Sequence, residues 1–326
     1  MEFNLSKPAA AKKIELSPDK LYDTLIIGTG PAGLNAALYL RRKGLEVGLI
    51  GRQAGGQVAN TSVVENYLGY KNIPGIGLVE DFERHVKELE VPILEYYGVT
   101  GVKRNEDSSF SLDVEDGKTY QANSLIIASG SSNRKLGVPG EKEFYGRGVT
   151  YCAICDGPLY NGKKVLVAGG GNSAVEAAID LAKISPEVVI VHRSKFRADQ
   201  ILLDKMKTLP NIKVHLETQI QSINGDMGVD SVTTLDKNTQ EVMEIPVEGI
   251  FVEIGYIPNT DIFKGFVDLT PGGEIIVDEN GATNVPGVYA AGDVTTVRYK
   301  QIIIAAAQGA SSALALNDWY MTHSTK

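Results

Sequence analysis

The chain predicts an α/β protein of two Rossmann-like three-layer domains, the second inserted into the first. Three observations predict it. A glycine-rich strand–turn–helix fingerprint occupies 28–33, a second occupies 169–174, and a late apolar strand at 287–293 has no fingerprint of its own. In chain order, Thr24-Leu25-Ile26-Ile27 is a short apolar strand running into Gly28-Thr29-Gly30-Pro31-Ala32-Gly33. The helix that follows places Gly33, Ala36, Ala37 and Leu40 at i, i+3, i+4 and i+7, a single packing face, and Gly44 closes it. Glu46 to Ile50 supplies the next strand and completes a βαβ unit.

The pattern recurs. Val165-Leu166-Val167-Ala168 runs into Gly169-Gly170-Gly171-Asn172-Ser173-Ala174, a helix presents Ala174, Ala177, Ala178 and Leu181, and Val188 to Val191 is the second strand. Hairpin-like sequence follows each unit: Phe110, Leu112 and Val114 alternate up to a turn at Asp116-Gly117, and Val229–Leu235 and Val242–Ile245 flank a polar turn at 236–238. Each copy then ends in an apolar strand stopping at glycine, Leu125 to Gly130 and Ile250 to Gly255. The strand from Gly287 to Asp293, with a helix carrying Ile302, Ala305, Ala306 and Gly309, is expected to complete the first domain, which is thereby discontinuous.

In each fingerprint the glycines allow a tight turn, backbone approach to a pyrophosphate, and close helix-to-strand packing, while the helix N-terminus offers unpaired amides. The acid expected about 20 residues on is missing from both copies. The first continues instead into Gly55-Gly56-Gln57 and the second into His192-Arg193, with Lys195 and Arg197 behind. Those cations suit a nucleotide 2′-phosphate; a solvated basic loop is the other reading.

Two cysteines are all the chain has, in Tyr151-Cys152-Ala153-Ile154-Cys155-Asp156-Gly157. A disulfide closing so small a ring removes little entropy from the unfolded chain, so a redox pair fits better than a staple. With no second cysteine pair or histidine cluster, no metal site is expected. At a helix N-terminus both sulfurs would share a face and the dipole would lower a thiolate pKa. Asp156 is placed to donate or accept a proton, or else to serve as a cap or turn residue. The four histidines, His85, His192, His215 and His323, are scattered, and surface positions are expected for them.

At 326 residues the chain is long enough for about two domains. A net charge of −8 with no basic stretch argues against nucleic-acid binding, and no apolar run approaches the roughly 18 residues of a membrane helix. The first twenty residues mix charges with Pro8 and Pro18 and read as a surface extension rather than a signal peptide. Sparse cysteine fits a cytoplasmic location.

From about Leu21 onward, these motifs in this order, with Val64-Glu65-Asn66 and Ala290-Ala291-Gly292-Asp293, resemble the low-molecular-weight thioredoxin reductases. Those are FAD-dependent pyridine nucleotide–disulfide oxidoreductases. The resemblance implies an FAD-binding domain at 21–132 and 259–326, with Gly28, Gly30, Pro31, Ala32, Gly33, Gly56, Gln57, Asn66, Gly292 and Asp293 at the cofactor and Gln301 near the flavin ring. It implies a domain at 133–258 that carries the cysteines and binds NADPH or NADH through Gly169, Gly171, Asn172, Ser173, Ala174, His192, Arg193 and Arg197. Electrons would pass from the nucleotide, or from an unusual donor in its place, through FAD to the Cys152–Cys155 disulfide and on to thioredoxin or a thioredoxin-like protein. Cys155 would face the flavin, Cys152 would attack the partner, and Asp156 would act as acid–base.

The resemblance further implies a homodimer, and rotation of the inserted domain about hinges near 130–134 and 255–260. The family's NADPH-preferring members have two arginines after the histidine and a third four residues beyond them. Here Ser194 follows Arg193 and Arg197 comes one residue early. A different dithiol or disulfide substrate, and a redox-sensing nucleotide-binding protein, are the competing readings. A peroxiredoxin-reducing flavoprotein is disfavoured, because proteins of that kind carry an extra N-terminal redox domain.

Overall fold

The computed structural model describes residues 14–61 and 63–323, so the expected N-terminal extension, 1–20, lies mostly outside the described residues. The chain divides into two units. The first comprises Met1–Asn60, Ile73–Ser131 and Pro258–Lys326; the second comprises Thr61–Asn72 and Ser132–Ile257. The segment Thr61–Asn72, which holds Asn66, is thus grouped with the second unit and not with the first, as the expected boundary at 132 had it. Its described residues form no helix or named strand.

The first unit begins with β1 (Leu21–Ile27), α1 (Pro31–Arg42) and β2 (Val47–Gly51), and continues through α2 (Gly75–Glu88), β3 (Ile93–Glu95), β4 (Val99–Arg104), β5 (Phe110–Val114) and β6 (Thr119–Ile127). Pro31 at the first helical position has the φ a helix needs, and Arg41 and Arg42 in the last turn complement the dipole. β1 sends Leu25 and Ile27 into one core and Ile26 into the other. A strand covered on both faces needs that period of two.

One difference from the sequence reading lies in β6. The sequence suggests a hairpin strand and a separate apolar strand from Leu125 to Gly130, and the structure runs the hairpin strand and Leu125 to Ile127 together as one strand of nine residues. Its first part pairs antiparallel with β5, and it pairs parallel with β1 along its length. Asn123-Ser124 marks a break to the eye, but no glycine or proline falls between Thr119 and Ile127, so the extended backbone runs through.

A short strand β7 (Ser131–Asn133) leads into the second unit, which opens with β8 (Val149–Thr150) and the one-turn helix α3 (Ala153–Asp156). The nucleotide-type core follows: β9 (Val165–Ala168), α4 (Asn172–Leu181), β10 (Val188–Val191), α5 (Gln200–Lys207) and β11 (Ile212–His215). An antiparallel meander, β12 (Thr218–Gly225), β13 (Val229–Asp236) and β14 (Val242–Pro246), precedes β15 (Gly249–Val252). The five-stranded parallel sheet runs β11-β10-β9-β15-β8. β9 places Val165 and Val167 against α4, and Leu166 and Ala168 in a core shared with the meander. Helix, parallel sheet and meander are the three layers.

The chain returns through β16 (Tyr256–Pro258), which pairs with β7. The two segments expected to act as hinges fall on this two-stranded ribbon. β17 (Val288–Ala290) then adds to β6 in parallel, and α6 (Ile302–His323) packs on α1. Gly309 makes that packing possible, since a Cβ there would strike the Ala32 carbonyl. The late strand therefore completes the first unit's sheet, as its sequence suggested. Among the described residues no helix is long and apolar enough to cross a membrane.

Candidate redox site and nucleotide cradles

The two fingerprints fold alike, down to their main hydrogen bonds. Gly28 N donates to Ile50 O at 2.8 Å and Gly169 N to Val191 O at 3.1 Å. Both glycines have positive φ, +120° and +154°. A Cβ on Gly28 would strike the carbonyl of Ala128, and one on Gly169 the carbonyl of Glu253. Gly33 is packed as tightly on Gly28, while Ala174 takes the corresponding place in the second copy.

Gly30 and Gly171 differ from these: each is the N-cap of its helix, neither helix is capped by a side chain, and a Cβ at either would meet nothing within 4 Å. Each is an open cradle over a helix N-terminus with no acid in the first turn. That arrangement fits a dinucleotide pyrophosphate, which needs close backbone approach and donors rather than acceptors.

Around the first cradle, Gly56 opens a 3₁₀ turn with φ +60°, and Gln57 Nε2 donates to Ser131 O at 2.6 Å. Gly292, at φ +79°, donates its amide to Gln308 Oε1 at 3.0 Å and sits against Ala32. Asp293 follows it. Burial pushes its carboxyl pKa up, Lys300 pulls the other way, and no side chain among the described residues bonds to its carboxylate. A largely buried acid without a protein partner fits a polyhydroxyl ligand. Gln301 immediately precedes α6.

In the second unit, Asn172 is committed to Asp199, donating to Oδ2 at 2.8 Å and accepting from its amide at 2.9 Å. Ser173 and Ala174 lie in the first turn of α4. His192 corrects the expectation of a surface histidine: it is buried at the end of β10, with its ring where a Cβ on Gly170 would be. Burial, then Arg197 and Arg193, lower its pKa, and Nε2 lies 3.1 Å from Ser194 Oγ. Arg193, Lys195 and Arg197 are exposed and form no ion pair among the described residues.

Cys152 and Cys155 are joined as a disulfide with Cα atoms 5.3 Å apart. Cys152 is the N-cap of α3, and its Sγ accepts the Cys155 amide at 3.2 Å. A cap bond to sulfur favours a thiolate there once the disulfide opens. Asp156 closes the turn and accepts a hydrogen bond from the Thr150 hydroxyl. Burial raises its pKa, partly offset by Thr150, so the turn holds an acid inclined to keep its proton.

Sequence reading missed two further acids here. Glu141 is buried and accepts from the amides of Leu136 and Gly137, each at 2.8 Å, and from the Tyr151 hydroxyl at 2.9 Å. Glu253 reaches the start of α3, where Ala153 N donates to its Oε1 at 3.3 Å. Comparing the two strand ends, Leu125 to Gly130 with Ile250 to Gly255, would have marked the second, since it stands where the first copy has Ala128. Among the described residues no group of three or more His, Cys, Asp or Glu could hold a metal ion.

Two cradles of one pattern, with a disulfide on a turn that holds a half-buried acid, are the features of the nucleotide-dependent disulfide oxidoreductase class. The family model described as pyridine nucleotide-disulphide oxidoreductase matches residues 22–309, and the chain belongs to that family. Among solved structures, thioredoxin reductase from Streptococcus pyogenes is similar at 36% identity and a TM-score of 0.86, over 93% of this chain and 99% of that one. An alkyl hydroperoxide reductase subunit from Pseudomonas putida is 44% identical over 95% of this chain and 60% of its own length. The NADH dehydrogenase of Bacillus subtilis is 41% identical over 94% of this chain and 60% of its own. The chain thus spans about 60% of the length of these curated relatives. The family implies FAD and a reduced nicotinamide nucleotide as cofactors.

Proposed function

We propose that the protein is an FAD-dependent reductase of thioredoxin or a thioredoxin-like protein, drawing electrons from NADPH or NADH. The observation that carries this reading is the disulfide on an accessible turn. Ile154, between the two cysteines, is 64% exposed, and Leu159 and Tyr145 add further exposed apolar surface in the same unit. An apolar rim about a disulfide suits a protein substrate better than a small polar one.

On this reading Gly28, Gly30, Gly33, Gly292 and Asp293 hold FAD, and Gly169, Gly171, Arg193 and Arg197 hold the nucleotide. When bound, FAD supplies the two-electron link between nicotinamide and disulfide. In the reduced protein the Cys152 thiolate, stabilised by the Cys155 amide, attacks the partner disulfide; that S–S bond breaks and a mixed disulfide forms. The departing partner sulfur takes a proton from Asp156. Cys155, giving its proton to the Asp156 carboxylate, then attacks Cys152, releases the second partner sulfur and restores the Cys152–Cys155 bond. A homodimer in cytoplasm is the assembly we expect.

The test is anaerobic reduction by NADPH and by NADH in a stopped-flow instrument, followed by added thioredoxin. Flavin bleaching and then reoxidation by thioredoxin are expected, with Cys152→Ser retaining the first and losing the second. Reduced enzyme that passes electrons to no thioredoxin would refute the thioredoxin reading.

A second reading rests on the identities, which are higher to the alkyl hydroperoxide reductase relative from Pseudomonas putida than to the streptococcal thioredoxin reductase. The same turn would then serve a dithiol domain that supports hydroperoxide reduction. Peroxide consumption on adding such a domain and its peroxidase, without turnover of free thioredoxin, would favour it.

A further inference from the structure

Glu253 directly follows β15, and its counterpart in the first unit is Ala128, which directly follows β6. The backbone does the same work at both places. Ala128 N donates to Ile27 O and Glu253 N to Ala168 O, each at 2.8 Å, and each carbonyl faces its fingerprint glycine. An alanine satisfies the fold in the first unit, so folding does not ask for a carboxylate in the second.

The carboxylate reaches α3 instead. Ala153, whose amide it accepts, is the residue after Cys152, so the acid stands at the first amide of the disulfide turn. Asp156 stands at the other end of that turn, tied to Thr150. No ion pair reaches either acid among the described residues. Other titratable groups around the turn are the phenols of Tyr145 and Tyr160, both of which feel the Asp156 charge, and Tyr151, which is bonded to Glu141 and lies under Lys135. Burial raises the Glu253 pKa to about 7, and the Ala153 amide offsets only part of that.

We propose that Glu253 is a positioning residue that couples proton uptake to the charge on Cys152: its ionised form keeps the proton on the Cys152 sulfur, and its neutral form lets the thiolate appear. The inference rests on Cys152–Cys155 being the redox pair of the reading above. Two-electron reduction, which FAD when bound would supply from the nucleotide, breaks the S–S bond. One proton goes to Cys155 and a second resides on either Cys152 or Glu253, so the two sites share one proton between them. Mutual repulsion of two negative charges in a partly buried site is the physical cause.

The test is the rate of Cys152 alkylation by iodoacetamide from about pH 5 to about pH 10 in reduced, FAD-loaded Cys155→Ser protein. The rate should rise in two steps, the lower one near pH 7. Adding Glu253→Gln, which keeps an oxygen for the Ala153 amide, should remove the lower step and raise alkylation about tenfold between that step and the main inflection, the effect of about one pKa unit, with no change below the lower step. An Asp156→Asn control should keep the lower step. A single-step profile in the Glu253-containing protein overturns the proposal without any Glu253 variant having to fold; so does an unchanged profile in Glu253→Gln. Alkylation needs neither nucleotide nor protein partner, so this outcome is independent of whether thioredoxin is the substrate.

Discussion

Replacing Glu141 with leucine should loosen the redox turn from a distance. The carboxylate is buried and takes three hydrogen bonds, from the amides of Leu136 and Gly137 and from the hydroxyl of Tyr151, the residue before Cys152. Hydrogen bonds to a charged group contribute about 1.5–3 kcal/mol each, and each stranded donor costs about 1–3 kcal/mol. The three are not additive, and breaking a buried charged network as a whole costs about 3–5 kcal/mol. Spread over a unit of about 140 residues, that is a fall in unfolding temperature of about 10–15 °C. The assay is thermal unfolding by circular dichroism, with Glu141→Gln, which keeps one acceptor oxygen, expected to lose about half as much. A loss under about 2 °C for Glu141→Leu would show that the three donors find other partners, and the reasoning would fail.

Three other outcomes follow from the same structure. Gly30→Ala should fold normally yet lose FAD, because the cradle is open to a Cβ that the cofactor would then meet; Gly28→Ala should lose both fold and flavin, and the ratio of 450-nm absorbance to protein together with an unfolding curve separates the two. Glu253→Gln should stabilise the protein in a pH-dependent way. The folded-state pKa is raised from 4.5 to about 7, so stability present below about pH 4.5 is lost as pH rises through 7. The gain should be near zero at pH 4.5 and approach about 3 kcal/mol at pH 8, and an equal gain at both would refute the assignment. Arg197→Ala should raise the KM for NADPH about tenfold and leave that for NADH nearly unchanged; equal effects on the two would take Arg197 away from the 2′-phosphate.

The fold was legible because glycine and alternation are local signals. Gly28 and Gly169 are demanded by a carbonyl pressed against them, and Leu25, Ile26 and Ile27 announce a strand covered on both faces. The site was legible where chemistry is local too, in the cysteine pair and Asp156. What stayed hidden depends on contacts between distant residues. Glu253 meets Ala153 across 100 positions, and nothing near either one signals the other. His192 sits among basic residues, which suggests surface, but the strand end that carries it turns under Gly170. The join within β6 is hidden for another reason: a strand that keeps β1 on one edge and exchanges β5 for β17 on the other leaves no mark in its own composition.

The middle glycine of the second fingerprint has a practical consequence for anyone re-engineering coenzyme choice. Gly170 is fixed by the His192 ring, and the ring is held by Ser194, the position at which a second arginine would be introduced to strengthen phosphate binding. Ser194→Arg would therefore release His192 into the floor of the cradle at the same time as it added a charge. Selectivity and loop shape are one design variable here, and a library that varies 192 and 194 together will reach solutions that scanning either position alone will not.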